Sequence, residues 1–200
     1  MVHESSGITR LEDIKNVTLG MNEGRTFAIF LKSKLPLTDV RVVPYAGMIS
    51  KFLNDQNFAQ QGYVFSEPLV AKNAGGDPRA LMVSELGFDP YTSVVVARAK
   101  MCDEQSELVA KFVSATRRGW QSYLADPTAA NAAINKVNPD MDLDSLNAAV
   151  EAVRPLCEGS EGAFGSMTAE RWLALATEMR AIDAISGEAT AAAEAAWRPE

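Results

Sequence analysis

One carboxylate in this sequence stands where it could bind a small molecule. Glu67 follows the largely apolar segment Gly62–Ser66 and precedes Pro68. We interpret Gly62–Ser66 as a buried strand from its residue types. Pro68 holds Glu67 extended and favours the start of a helix. A carboxylate at this place can point into the crevice at the end of a sheet and accept hydrogen bonds there. Its structural alternative is a simple cap on the helix that follows.

Two further segments follow predicted strands. One is a turn of five residues: Asn22, Glu23, Gly24, Arg25 and Thr26. This turn precedes a helix, where exposed amides and the helix dipole favour an anionic group, although many such turns use Gly and Thr only for capping. The other segment carries Tyr45, whose ring could stack on a flat ligand or simply form part of a half-buried rim.

The spacing of apolar residues in the first half predicts alternating strands and helices. Strands are predicted at Val17–Met21, Thr38–Tyr45, Gly62–Ser66, Ala80–Ser84 and Tyr91–Ala97. Helices are predicted at Thr26–Lys34 and Met48–Leu53, with a short one ending at Lys72. Strands that alternate with helices predict a parallel sheet, and ligands of such sheets bind beyond the carboxyl ends of the strands. The fold class is therefore α/β.

From Asp103 onward the pattern is helical. Apolar residues from Leu108 to Leu124 fall on one face at helical spacing, and Asp126 with Pro127 is a typical helix start. Further helices are predicted at Leu143–Val153, Thr168–Ile182 and in the Ala-rich tail that ends at Trp197. We therefore divide the chain into an α/β part, 1–97, and a mainly helical part, 98–200.

Composition excludes several classes of function. The net charge is −7, and positive and negative residues are mixed along the chain. No basic surface for a phosphate backbone is therefore expected, and we do not expect nucleic acid as a partner. No window approaches the roughly 18 uninterrupted apolar residues of a membrane span, and the N-terminal residues lack the pattern of a signal peptide. No cofactor motif, such as a P-loop or a Gly-x-Gly-x-x-Gly pattern, is present.

Catalytic and metal chemistry have little support in the sequence. His3 is the only histidine and lies near a terminus that we expect to be loose, so no serine or cysteine has an evident base. Cys102 and Cys157 are far apart, and with one histidine they form no zinc ligand set. The two cysteines are either buried free thiols or a disulfide. We expect neither an enzyme nor a metal protein.

The order of these segments resembles the second lobe of solute-binding proteins of the thiamine-pyrimidine-precursor, sulfonate and nitrate ABC-transporter superfamily. The opening segment of that lobe is similar to Ser6–Val17, and its Gly-rich turn is similar to Gly20–Gly24. Other similar segments are Val42–Tyr45, Gly62–Pro68, Pro90–Val96, Leu108–Pro127 and Gly165–Ile182. The resemblance spans nearly the whole chain and is greatest to the thiamine-precursor branch.

This resemblance implies a type 2 periplasmic-binding-protein fold, in which a ligand is clamped between two lobes by hinge closure. Residues 1–97 would be the second lobe, and 98–200 would complete the first. The implied partners are a small planar or anionic solute and an ABC permease, outside the cytoplasm. The implied second-lobe contacts are Asn22, Glu23, Gly24, Arg25, Thr26, Tyr45, Tyr63 and Glu67. A pyrimidine would use Glu67 and a tyrosine, whereas sulfonate or nitrate would use the helix N-terminus.

Two more expectations come from the same comparison. Complete members of this family carry most of a first lobe ahead of this point, so the helices after Asp103 should leave apolar surface uncovered. The alternative function is therefore an interaction module that associates through these helices, with itself or with another protein. One relative of this fold is a fungal pyrimidine synthase, but its Cys-rich motif and an interior histidine are not found in this sequence.

Overall fold

The computed structural model describes residues 1–158 and 164–197, which form two compact units. The first unit comprises Met1–Pro90 with Met167–Glu200, and the second comprises Tyr91–Ser166. Each unit is described separately below. The predicted division at residue 97 concerns the lobes of the related proteins and stays a prediction.

Three short strands form a parallel sheet in the first unit. They are β2 (Thr18–Gly20), β3 (Arg41–Val43) and β4 (Phe58–Gln60), in the order β3-β2-β4. The register places Gly20 beside both Val43 and Gln60, so all three strands end at the same level. This parallel sheet and the helical second half confirm the predicted α/β class.

A helix follows each of these strands, as expected. They are α1 (Thr26–Lys34), α2 (Ser50–Asn54) and α3 (Glu67–Asn73). One apolar cluster contains Leu19, Ala28, Leu31 and Ala59, among others. A second cluster contains Phe52, Phe58 and Ala71. Each helix therefore contributes buried side chains to a core that fixes the sheet.

The predicted strand Gly62–Ser66 is wrong. The strand in this region is β4, four residues earlier, and residues 61–66 form a loop in which Ser66 N–H donates to Tyr63 O at 2.9 Å. The cause lies in Gln60, a polar residue that is nevertheless buried with Phe58 and Ala59. The more apolar neighbouring segment has the stronger strand pattern but supplies no ladder to the sheet.

A small antiparallel pair joins β1 (Val2–His3) to β5 (Pro78–Arg79). His3 is only 2% exposed, stacks on Phe52 at 3.9 Å and bonds Asp77 through Nδ1 at 2.5 Å. The expectation of a loose terminus is therefore wrong. The bonds from His3 and from Ser5 N–H hold the pKa of Asp77 well below its usual range. The predicted strand Ala80–Ser84 is also wrong, because strand pairing ends at Arg79 and a 3-10 helix starts at Val83.

Two C-terminal helices, α8 (Ala169–Ala181) and α9 (Ala189–Ala196), belong to the first unit. Thr168 caps α8, since its Oγ1 accepts a hydrogen bond from Arg171 N–H at 3.2 Å. Arg171 pairs with Asp89 at 3.0 Å, and Glu178 pairs with Lys34 of α1 at 3.0 Å. These two ion pairs attach α8 to the α/β part of the chain.

The second unit is helical. It contains α4 (Ala99–Glu104), α5 (Ser106–Ala125), α6 (Thr128–Val137) and α7 (Leu143–Glu158). A network centred on the buried Asn131 joins three of them: Tyr123 Oη donates to Asn131 Oδ1, and Asn131 Nδ2 donates to Asn147 Oδ1, both at 2.9 Å. Asp126 Oδ1 accepts from Thr128 N–H at 3.0 Å, as expected for a helix start.

The predicted strand Tyr91–Ala97 is wrong. This segment forms no ladder, and its three consecutive valines, Val94 to Val96, are exposed. High strand propensity alone does not make a strand when no partner is hydrogen-bonded to it. The predicted exposure of apolar side chains in this half is confirmed, because Leu108 is 51% and Phe112 59% exposed.

Cys102 and Cys157 are half-buried free thiols. Within residues 1–158 and 164–197, no helix has both the length and the apolar character that crossing a membrane requires.

We predict that Gly20→Ala destabilises the protein by about 1–3 kcal/mol, because core overpacking has a cost of that size. A Cβ at position 20 would lie 2.9 Å from Phe58 Cζ and 3.5 Å from Gln60 Cβ. The measurement is urea unfolding, with Gly24→Ala as the matched control, since a Cβ at position 24 meets no atom within 4 Å. Equal loss of stability in both variants would contradict this account of the sheet.

Candidate ligand-binding site

The site lies at the carboxyl edge of the parallel sheet. Because β2, β3 and β4 end level, the segments that follow Gly20, Val43 and Gln60 emerge at one edge. Met21 N–H donates to Val43 O and Gln61 N–H donates to Gly20 O, both at 2.9 Å, which extends the ladder slightly beyond the strands. Polar side chains placed just after these residues are therefore held close to one another.

Glu67 is the centre of this edge. It is the first residue of α3, and its Oε1 accepts a hydrogen bond from Tyr45 Oη at 2.6 Å. Its Oε2 accepts from the backbone N–H of Tyr63 at 2.7 Å. The carboxylate thus binds the two loops that follow β3 and β4. Since each oxygen has a second lone pair, the group can still accept hydrogen bonds from a ligand.

The Tyr45 phenol is held protonated by its surroundings. Burial raises the pKa of Tyr45, and the hydrogen bond to Glu67 raises it further. The phenol therefore stays a donor to the carboxylate over the physiological pH range. This bond fixes the orientation of both side chains before any ligand arrives.

Tyr63, whose backbone amide donates to Glu67, is an exposed residue of this edge. The residue is 56% exposed, and its ring stacks on Phe65, with centroids 5.3 Å apart and planes 19° from parallel. One exposed aromatic face next to a fixed carboxylate is an arrangement suited to a flat ligand with N–H donors. The structure thus brings together three of the predicted residues, Tyr45, Tyr63 and Glu67.

The predicted turn, Asn22 to Thr26, follows β2 at the same edge. Two of its amides already have protein acceptors: Asn22 N–H donates to Gln61 Oε1 at 2.7 Å, and Arg25 N–H donates to Asn22 O at 3.0 Å. Glu23 forms an ion pair with Lys32. Thr26 is the first residue of α1, and the Gly24 backbone is open to solvent. No ion pair to Arg25 is found among the described residues.

Sequence reasoning missed two glutamines at this edge. Gln61 connects the turn after β2 to the loop after β4 through its bond to Asn22. Gln60 is 1% exposed, and neither of its amide atoms has a partner among the described residues. No sequence signal identifies these contacts, because Gln61 and Asn22 are 39 positions apart.

Metal-binding residues do not cluster at this edge. Among residues 1–158 and 164–197, no group of three or more His, Cys, Asp and Glu side chains could hold a metal ion. The chemistry available is hydrogen bonding and aromatic stacking, which serves binding.

A parallel α/β unit with fixed polar and aromatic side chains beyond its strands is the architecture of a ligand-binding domain. The family model described as NMT1/THI5 like matches residues 1–130, which is more than half of the 200-residue chain. The chain therefore belongs to the NMT1/THI5-like family, whose members are mostly solute-binding proteins rather than enzymes. Searches of curated proteins and of solved structures returned no match.

We predict an energetic coupling of about 1 kcal/mol between Tyr45 and Glu67, the size expected of one partly exposed hydrogen bond. It is measured by a double-mutant cycle of Tyr45→Phe and Glu67→Ala in urea unfolding. The cycle cancels the separate loss of the Tyr63 amide bond. Additive effects would show that the bond contributes nothing to stability. Tyr45→Phe combined with Asp140→Asn, in the other unit, is the control that should be additive.

Proposed function

We propose that this chain is the solute-binding component of an ABC importer and that it binds a small planar solute such as a thiamine pyrimidine precursor. The single observation that carries the proposal is the Glu67 carboxylate, fixed by Tyr45 and the Tyr63 amide beside an exposed aromatic ring. An amino group of the ligand would donate to Glu67, and the ring of Tyr63 would stack on the ligand plane.

The charge and the hydrogen bonds at the carboxyl edge of the sheet favour a neutral ligand over an anion. A sulfonate or nitrate would approach a carboxylate, and such like-charge contact is unfavourable. The turn after β2 offers little compensation, because the amides of Asn22 and Arg25 already donate to protein oxygens. The open amides at the start of α1 remain the place where an anion would have to bind.

The transport role is supported by family membership. Residues 1–130 match a family of mostly solute-binding proteins that typically act outside the cytoplasm. An ABC permease is the partner that such a protein would deliver its ligand to. We therefore place the proposed binding step in the periplasm or its equivalent.

We predict that hydroxymethyl- or formylamino-pyrimidines raise the melting temperature, whereas taurine, alkyl sulfonates and nitrate do not. A ligand at a hundredfold its dissociation constant stabilises the folded state by about 2.7 kcal/mol. Glu67→Ala should abolish the shift. A shift with sulfonates alone would contradict the proposal.

A second variant tests the same site without changing its charge. A Cβ at position 62 would lie 2.9 Å from Glu67 Oε2 and 3.0 Å from Glu67 Cβ, so Gly62→Ala should displace the carboxylate and weaken the shift. Gly119→Ala, in the other unit, is the matched control, since a Cβ there would meet no atom within 4 Å.

The alternative function, an interaction module, is favoured by one observation in the second unit. Leu108 and Phe112 of α5 lie one helical turn apart and are more than half exposed, and Trp120 on the same helix is 39% exposed. Large apolar side chains grouped in this way are typical of surfaces that associate.

This alternative predicts a concentration-dependent dimer in size-exclusion chromatography with light scattering. Phe112→Ser should then shift the population to monomer, because it removes apolar contact area, whereas Lys111→Gln on the same helix should not. A monomer at every concentration would contradict self-association.

A further inference from the structure

We propose that Gln61 is a specificity-determining residue of this site and that its amide nitrogen donates to a ligand acceptor adjacent to the group bound by Glu67. The inference rests on the proposed function, since it concerns the same binding edge. It adds a donor to a site whose other polar group, a carboxylate, only accepts.

The orientation of the Gln61 amide is fixed by its partner. A backbone N–H can only donate, so the atom of Gln61 that faces Asn22 N, at 2.7 Å, must be the oxygen Oε1. The nitrogen Nε2 therefore points away from the turn and carries two N–H donors. The side chain is half-buried, and among residues 1–158 and 164–197 no hydrogen bond to Nε2 is found.

Gln61 directly precedes a residue that lies close to Glu67. Gln61 N–H donates to Gly20 O at 2.9 Å, which holds the residue at the level where the strands end. The next residue, Gly62, is so near Glu67 that a Cβ there would lie 2.9 Å from Oε2. Gln61 and Glu67 therefore border the same edge, with one glycine between them along the loop that the carboxylate binds.

A donor beside an acceptor selects a particular class of ligand. The complementary molecule carries an N–H donor next to an acceptor atom, as in an amino group adjacent to a ring nitrogen. Glutamine and asparagine amides recognise the amino-purine edge of adenine by the same pairing. A molecule with acceptors alone, such as a sulfonate, satisfies Gln61 but not Glu67.

The competing explanation is that Gln61 only holds the turn after β2. Two variants separate the explanations. Gln61→Glu has nearly the same shape and keeps an oxygen for the Asn22 N–H, but it loses both donors and adds a negative charge, whose general effect the second probe described below controls for. Gln61→Met removes the oxygen as well, so the turn loses its side-chain bond.

The experiment is isothermal calorimetry of the full chain with two probes. One is 4-amino-5-hydroxymethyl-2-methylpyrimidine, and the other is the aniline of the same shape, in which C–H replaces both ring nitrogens. The wild-type chain should prefer the pyrimidine. Gln61→Glu should bind the pyrimidine roughly tenfold more weakly, the value of one hydrogen bond, and should lose its preference over the aniline. Its unfolding midpoint in urea without ligand should stay near that of the wild-type chain.

Each other outcome has a separate meaning. If Gln61→Glu keeps the preference while Gln61→Met weakens both probes equally, Gln61 acts only on the turn and the inference is overturned. If the wild-type chain binds the two probes equally, no donor of the site bonds to the ring nitrogen. The inference then fails, while the proposed binding function stands. If the wild-type chain binds neither probe, the proposed function itself fails, and the inference fails with it.

Discussion

The rest of the candidate site depends on one constraint: the three parallel strands end in the same register row. Gly20, Val43 and Gln60 lie in one register row, and glycine suits its centre because little room is left for a side chain at residue 20. A Cβ there would approach Phe58 Cζ to 2.9 Å. Three loops therefore start from one edge of the sheet, and this brings residues that are distant in sequence into contact.

Placing a carboxylate at such an edge has an energetic cost, because a half-buried charge loses part of its hydration. Two hydrogen bonds, one to each oxygen of Glu67, offset this cost and also fix the group. A group that is already oriented loses little further freedom when a ligand binds. If the proposed function holds, the contacts that stabilise the loops also orient the carboxylate for its ligand, and stability and binding are coupled through one side chain.

The sequence predicted the parts of this arrangement that depend on local pattern. The strand near Leu19, the helix Thr26–Lys34 and the position of Tyr45 after a strand follow from apolar spacing and from turn residues. Pro68 correctly indicated a helix start at Glu67, although the strand predicted before it is absent. The sequence-based prediction failed where a polar residue is buried. Gln60 is such a residue, so the strand was predicted in the more apolar neighbouring segment instead of at β4. It also missed contacts made by tertiary structure alone, such as His3 with Asp77 and Gln61 with Asn22, because no local spacing encodes them.

The two units differ in where their apolar side chains lie, and this difference separates the two candidate functions. In the first unit the large apolar residues Phe30, Phe52 and Phe58 are buried around the sheet, and the exposed ring of Tyr63 stands beside a fixed carboxylate. In the second unit the polar side chain of Asn131 is buried, whereas Leu108 and Phe112 are exposed. A polar network specifies one helix arrangement through directional bonds, while exposed apolar area favours association without selecting a small molecule. The two candidate functions thus depend on different residues, so separate substitutions can test each of them.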